Sequence, residues 1–250
     1  MPSAGDQPNR PRRGWPPSPA TVREIGRRLA RRFGPLDPGR RLYPLEELVL
    51  TILSQNTSDV NSGRAYEALR RRYRTWDELA DADQRDVADA IRPGGLANVK
   101  APRILGILRA IRGREGSLDL SWMKGARSDR VRAYLTSLDG VGPKTAACVL
   151  AFSLGRPALP VDTHVLRVGR RLGFIPERLG AGRAHEVMER LVPPRLRIRM
   201  HVGMIRLGRE ICRAGRPACE ICPLRDLCPT APAVLSGGAW RRAPAGRRAG

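Results

Sequence analysis

The residues best suited to do chemistry lie between Leu138 and Val168, in LDGVGPKTAACVLAFSLGRPALPVDTHVLRV. Gly140-Val141-Gly142 makes a short turn between two apolar, helix-like segments. Glycine admits positive φ and lets a backbone approach a ligand closely, and N–H groups pointing out of a helix start suit a phosphate. Pro143 fits the first helical turn, where a missing N–H costs nothing, and Lys144 follows at once. The chain holds 46 lysines and arginines, yet only Lys100, Lys124 and Lys144 are lysines. Arginine keeps its charge, whereas lysine can lose its proton, attack carbon and form a Schiff base. Lys144 is therefore a candidate nucleophile, with a phosphate-binding lysine as the plainer alternative. Asp162, 18 residues on, opens a helix-like segment. There it can serve as an N-cap, as a carboxylate that stabilises positive charge developing on a substrate, or as both.

A second set is Cys212, Cys219, Cys222 and Cys228, spaced C-x6-C-x2-C-x5-C. In a reducing compartment such crowding favours a metal site over disulfides. Four thiolates at this spacing can enclose one [4Fe–4S] cluster. Structural zinc, the alternative, usually takes two short knuckles separated by a longer gap, and here there is one knuckle, Cys219–Cys222. Cys148 lies on an apolar helix face and reads as an inert core thiol.

The elements that must position these groups are helical. Val22, Ile25, Leu29 and Phe33 recur at helical spacing with arginines opposite. Leu45–Leu53 reads as a buried helix. Segments 60–73, 76–80, 84–91, 101–111, 130–138, 144–154, 163–172, 184–191 and 200–209 also carry helical patterns, and no credible alternating strand appears. The sequence predicts an all-α protein whose core rests on Leu, Val, Ile and Ala, because only 11 residues are Phe, Trp or Tyr.

LDGVGPKTAACVLAF followed by VDTHVLRV resembles the helix-hairpin-helix and Gly/Pro…Asp loop of the endonuclease III family of DNA-repair glycosylases. The cysteine spacing matches that family's iron–sulfur loop. The resemblance runs from about Ala20 to Pro229. It implies two helical domains flanking a DNA-binding cleft: a six-helix barrel with the helix-hairpin-helix over residues 44–156, and an iron–sulfur cluster domain from 20–43 and 157–229. It further implies a [4Fe–4S] cofactor on the four cysteines and duplex DNA with damaged bases or abasic sites as partner. In the mechanism that the resemblance implies, the damaged base is flipped out, Lys144 displaces it from C1′ while Asp162 assists, and the resulting Schiff base leads to β-elimination and a nick. Mismatch-type and adenine-removing relatives carry a different residue at the lysine position, so its retention favours a bifunctional glycosylase and AP lyase, and the resemblance implies oxidised pyrimidines as its substrates. A monofunctional mismatch or uracil-type glycosylase with weak lyase activity and a non-catalytic iron–sulfur DNA-binding protein are the rivals.

The resemblance also nominates DNA contacts. Backbone N–H groups of Gly140, Val141 and Gly142, with Thr145 beside them, are expected on a phosphate, and Asp139 is expected to turn away and cap the turn. Ser54-Gln55-Asn56-Thr57-Ser58-Asp59 departs from the family's common L-S-A-Q-A-T-D. Direct alignment sets Asn56 at the position of the amide that fills the hole left by the flipped base, and Gln55 is a second candidate. The alternative for this segment, Thr57 included, is a polar helix cap. Asn98 and Lys100, in GLANVKA, are candidate DNA-backbone contacts or parts of a helix start. His164 and His201 read as structural.

Net charge is +22 and the pI about 11.4. Such a field points to a polyanion, DNA or RNA first, although a GC-rich genome favouring arginine accounts for part of it. No apolar run is long enough to span a bilayer, and the first residues have no hydrophobic signal core. A cytoplasmic monomer is expected, nucleoid-associated if bacterial. Residues 1–19 and 230–250, rich in Pro and Arg, or in Ala, Gly and Arg, are expected to be disordered basic tails.

Overall fold

Helix starts follow from capping chemistry. In the computed structural model, which describes residues 16–37, 39 and 41–237, α1 (Pro19–Phe33) begins after Ser18, whose Oγ accepts the Thr21 N–H at 3.1 Å. Pro44 occupies the first turn of α2 (Pro44–Leu53), and Ser58 caps α3 (Asp59–Arg72) through the Asn61 N–H. Thr75 and Glu78 form a capping box on α4 (Trp76–Asp81), and Asp83 caps α5 (Gln84–Ala90). These are the Ser, Thr and Asp residues that best satisfy orphan N–H groups. The chain continues through α6 (Ala97–Glu115), α7 (Ser128–Thr136), α8 (Pro143–Cys148), α9 (Thr163–Arg171), α10 (Ala181–Leu191), α11 (Arg197–Glu210) and α12 (Ala231–Leu235). Among the described residues there is no strand.

Residues 39–160 form one compact unit, and the described residues of 1–38 and 161–250 form another. In the first, α2 is the central helix and packs on α3, α6 and α8. It is buried nearly all round, which is what a helix inside a bundle requires. Leu48, Ile52 and Leu53 are fully enclosed, each contributing roughly 1.5–3 kcal/mol of transfer free energy. Helix α8 runs on into a single π turn over Val149–Ser153, closed by Ser153 Oγ donating to Leu42 O at 2.8 Å. In the second unit α11 lies between α1 and α9. Gly203 lets α1 come close: a Cβ there would meet Leu29 at 3.0 Å.

One expectation fails in the second unit. Ala231–Leu235, placed in a disordered tail, is helical. Its start is anchored, since Ala231 is buried and the Thr230 hydroxyl donates to Arg171 O at 2.9 Å. At the other end Ser18 and Pro19, placed in the first tail, open α1, and tail residues 1–15 and 238–250 lie outside the described residues.

Candidate active site and cluster loop

In the first unit, α7, the turn Ser137–Gly142 and α8 make a helix-hairpin-helix. Gly140 takes φ +76, a left-handed conformation that glycine adopts without strain. A Cβ there would also collide with the Arg103 side chain, 2.5 Å from Nε. Gly142 precedes α8 with open space beside it, and its N–H makes no bond to a described residue. Two of the expected contacts change. The Val141 N–H is taken by Leu138 O at 3.1 Å and its side chain is buried, so it folds the turn. Thr145 is 2% exposed and faces the core, because α8 packs on both α2 and α7. Asp139 is exposed and caps nothing among the described residues.

The three lysines separate sharply. Lys100 is 1% exposed; its Nζ donates to Leu53 O at 2.7 Å and Gly94 O at 2.9 Å. It is therefore an internal strut joining the end of α2 to the turn before α6, not a phosphate contact, and burial pushes its ammonium below the usual lysine range. Lys124 stands over the Tyr43 ring at 5.0 Å. Lys144, half-buried in the first turn of α8, makes no hydrogen bond and no ion pair with any described residue. Helix α2, against which α8 packs, carries a buried carboxylate, Glu47, whose Oε1 accepts from Thr51 Oγ1 at 3.1 Å. Burial pushes the Glu47 carboxyl up to about 7, opposed by the Thr51 hydrogen bond and the positive charge of Lys144.

The two loops tied by Lys100 each carry a left-handed residue other than glycine, Asn56 (φ +54) and Leu96 (φ +52), a conformation that costs about 1 kcal/mol or more outside glycine. Asn56 is exposed and points its amide at no described partner, whereas Gln55 is held by Arg103 Nη1 at 2.8 Å. Thr57 is half-buried in the same loop, and Ser54 donates to Thr51 O. Asn98 is exposed in the first turn of α6. Leu96, 53% exposed, and Arg103 were not singled out in the sequence. Leu96 stands in the GLANVKA segment, but Arg103 is one arginine among many and has no signal of its own.

In the second unit Asp162 is half-buried and caps α9, its Oδ1 accepting the Val165 N–H at 2.7 Å. His164 packs against Gly208, and burial holds its imidazole below the ordinary histidine value. His201 is buried in α11. Both fit structural roles. Along one face of α9, Arg167 donates to Cys212 O and Gly208 O, at 3.0 and 2.8 Å. Arg171, one turn on and buried, donates to the carbonyls of Cys212, Arg213 and Ala214 and reaches Cys212 Sγ at 3.1 Å. Arg28 of α1 latches the far side of the loop through Pro223 O and Asp226.

Cys212, Cys219, Cys222 and Cys228 line one pocket, walled by Val168, Leu172, Leu207 and Ile211. Burial pushes the thiols of Cys219 and Cys228 up and that of Cys222 to about 11, and the neighbouring sulfurs add to it. Backbone N–H groups of Leu224, Thr230 and Ala231 aim at the sulfurs of Cys222 and Cys228. No three acidic, His or Cys groups among the described residues are gathered tightly enough for a single ion. Four sulfurs spread around an apolar-walled pocket, with amide and guanidinium donors behind them, suit a polynuclear cluster with thiolate ligands.

Comparison with known proteins agrees with this geometry. Residues 49–194 match the model of the HhH-GPD superfamily of base excision DNA repair proteins, and residues 212–228 match the iron-sulfur binding domain of endonuclease III. Endonuclease III of Thermotoga maritima is 37% identical over 83% of this chain and 92% of its own length. A DNA-glycosylase-like protein of Arabidopsis thaliana is 36% identical over 67% of this chain, which spans 57% of that longer relative. A trapped endonuclease III–DNA covalent intermediate superposes with a TM-score of 0.75 at 27% identity, covering 87% of this chain and 99% of that one. The all-α chain, with its helix-hairpin-helix and its [4Fe–4S] cluster loop, belongs to the endonuclease III family of base excision DNA repair glycosylases.

Proposed function

We propose that this protein is a bifunctional DNA glycosylase and AP lyase that removes oxidised pyrimidines from duplex DNA, with Lys144 as nucleophile. The observation that carries the reading is the lysine inventory: Lys100 is sealed in the core, Lys124 is held on a ring, and Lys144 alone offers an amine with no hydrogen bond, ion pair or ring contact among the described residues. It stands directly behind the hairpin turn, where the Gly142 N–H is available to a DNA phosphate and would position the duplex without reading it. Asn56, exposed and unpaired, is the better placed amide to fill the space of an everted base, and exposed Leu96 is an apolar wedge of the kind that unstacks a base step.

The chemistry follows from the residue types. The Lys144 amine adds to C1′ as the damaged base departs with the bonding pair, and the sugar opens to a Schiff base whose β-elimination nicks the strand. Asp162 Oδ1 is engaged in capping, and Oδ2 makes no bond to a described residue, leaving charge to stabilise the oxocarbenium-like transition state. The four cysteines hold the cluster, which serves as a rigid anchor for the loop between Cys212 and Cys228.

The test is borohydride trapping on abasic duplex together with a lesion panel of thymine glycol, 5-hydroxycytosine and mispaired uracil. Lys144→Ala should abolish the adduct and leave duplex binding nearly intact, and Asp162→Asn should slow base release at least ~10²-fold. Undiminished trapping by Lys144→Ala removes the nucleophile assignment. Preferential release of mispaired uracil removes the substrate assignment.

A further inference from the structure

Glu47 is the only buried carboxylate among the described residues, 8% exposed. The chain is rich in arginine, and its surface acids commonly sit against guanidinium groups. Glu47 does not: its one hydrogen bond comes from the Thr51 hydroxyl, and no described ion pair includes it. Taking an unpaired carboxylate out of water is costly. An apolar residue at this inward position of α2 would be the more stable choice, so the acid is retained against the interest of packing.

Its surroundings leave one partner for its proton. From α8 comes the Lys144 ammonium. From α3 comes Tyr66, half-buried, its phenol pushed up to about 12 by burial and by the charges of Glu46 and Glu47. On α2 itself Glu46 is turned to the helix start, where it accepts the Tyr43 N–H at 3.0 Å. Lys100 of α6 is committed to the opposite end of α2, at Leu53 O. The π turn Val149–Ser153 brings no ionisable side chain. Tyr66 keeps its proton at every physiological pH, which leaves Lys144.

We propose that Glu47 is a positioning residue that accepts the proton of Lys144 and so delivers the free amine to the sugar. This rests on the reading of Lys144 as nucleophile. The two groups make no direct ion pair, so the proposed transfer runs through solvent between α2 and α8. One Nζ–H bond breaks, its electron pair stays on nitrogen as the attacking lone pair, and the proton ends on a Glu47 oxygen. A carboxylate and an ammonium become a carboxylic acid and an amine, with no net charge moved away from the site. The carboxyl value of about 7 places this acceptor in the range where a general base works best near neutral pH.

The experiment measures single-turnover borohydride trapping of the cluster-loaded protein on a duplex with one abasic site, from pH 5.5 to 9.5. The wild type should show a rate that rises through about pH 7 as Glu47 ionises. Glu47→Gln keeps an oxygen for the Thr51 hydroxyl. It should fold and bind abasic duplex normally, trap ~10²-fold more slowly at pH 7.5, lose the limb near 7, and recover at alkaline pH where hydroxide removes the lysine proton. Glu47→Asp should keep a weaker limb. A Glu47→Gln protein with the wild-type rate and limb overturns the proposal. So does one whose loss is equal at all pH values or tracks weaker DNA binding, the mark of a structural role. Lys144→Ala run alongside separates the two readings: persistent trapping there sinks the nucleophile assignment, whereas its loss beside an unaffected Glu47→Gln sinks the Glu47 role alone.

Discussion

At the scale of single residues, environment decides what a shared side-chain type does. Lys100 and Lys144 stand next to equally suggestive sequence, and only burial separates strut from candidate nucleophile. Lys100→Met would leave Leu53 O and Gly94 O without their donor, and should destabilise the protein by about 2 kcal/mol. The salt dependence of DNA binding should not change. Denaturant melts and a salt titration check both, and a slope reduced by about one would restore Lys100 as a phosphate contact. Glu47 makes a second prediction. In the unfolded chain it ionises near 4.5, but the folded protein keeps the proton up to about 7. Its stabilising contribution is present below 4.5 and lost as pH rises to 7. Glu47→Gln should therefore match the wild type at pH 4.5 and gain up to about 3 kcal/mol at pH 8. A variant less stable at pH 8 would contradict the burial penalty. The motif residues Lys144, Asp162 and the four cysteines were visible in the sequence because their types and spacings are rare. Glu47 was not, since a glutamate in the first turn of a helix ordinarily faces water and complements the dipole.

At the scale of elements, the helices were legible because Leu, Val and Ile recur with helical period beside Ser, Thr and Asp caps. What periodicity does not encode is where a helix changes pitch, as α8 does at Val149, or how a loop is held. The loop from Cys212 onward hangs on α9, and the choice of Arg167 and Arg171 among so many arginines depends on which carbonyls fold back to meet them. Arg171→Met should orphan the carbonyls of Arg213 and Ala214 and leave Cys212 O to Arg167 alone. The expected loss is about 2–4 kcal/mol, with lower iron content and weaker absorbance near 400 nm in the purified protein. Full cluster loading at unchanged stability would show that the loop closes without it. Arg171→Lys should rescue little, because one ammonium cannot reach three carbonyls and a sulfur in a fixed fan.

At the scale of the whole molecule, a charge of +22 sets the terms on which DNA is met. Several counterions should be released per complex, giving a steep fall of affinity with salt and little dependence on sequence. Removing residues 1–15 and 238–250 should weaken binding to intact duplex and spare cleavage of a saturated lesion duplex. Titrations with full-length and trimmed protein would check this; a slope near zero would assign the charge to codon usage, and loss of single-turnover cleavage would bring the termini into the reaction. Composition could announce this property because charge adds over the chain regardless of fold.

The lysine inventory has a practical consequence in protein chemistry. A mild amine-directed reagent offered to the native protein finds Lys100 sealed and only two side-chain amines within reach, Lys124 and Lys144. An aldehyde or activated ester tethered to a DNA analogue would be steered by the duplex to Lys144, with an unusually small background from other sites. A protein so rich in arginine and so poor in lysine is thereby a favourable scaffold for a covalent inhibitor or a single-site fluorescent label.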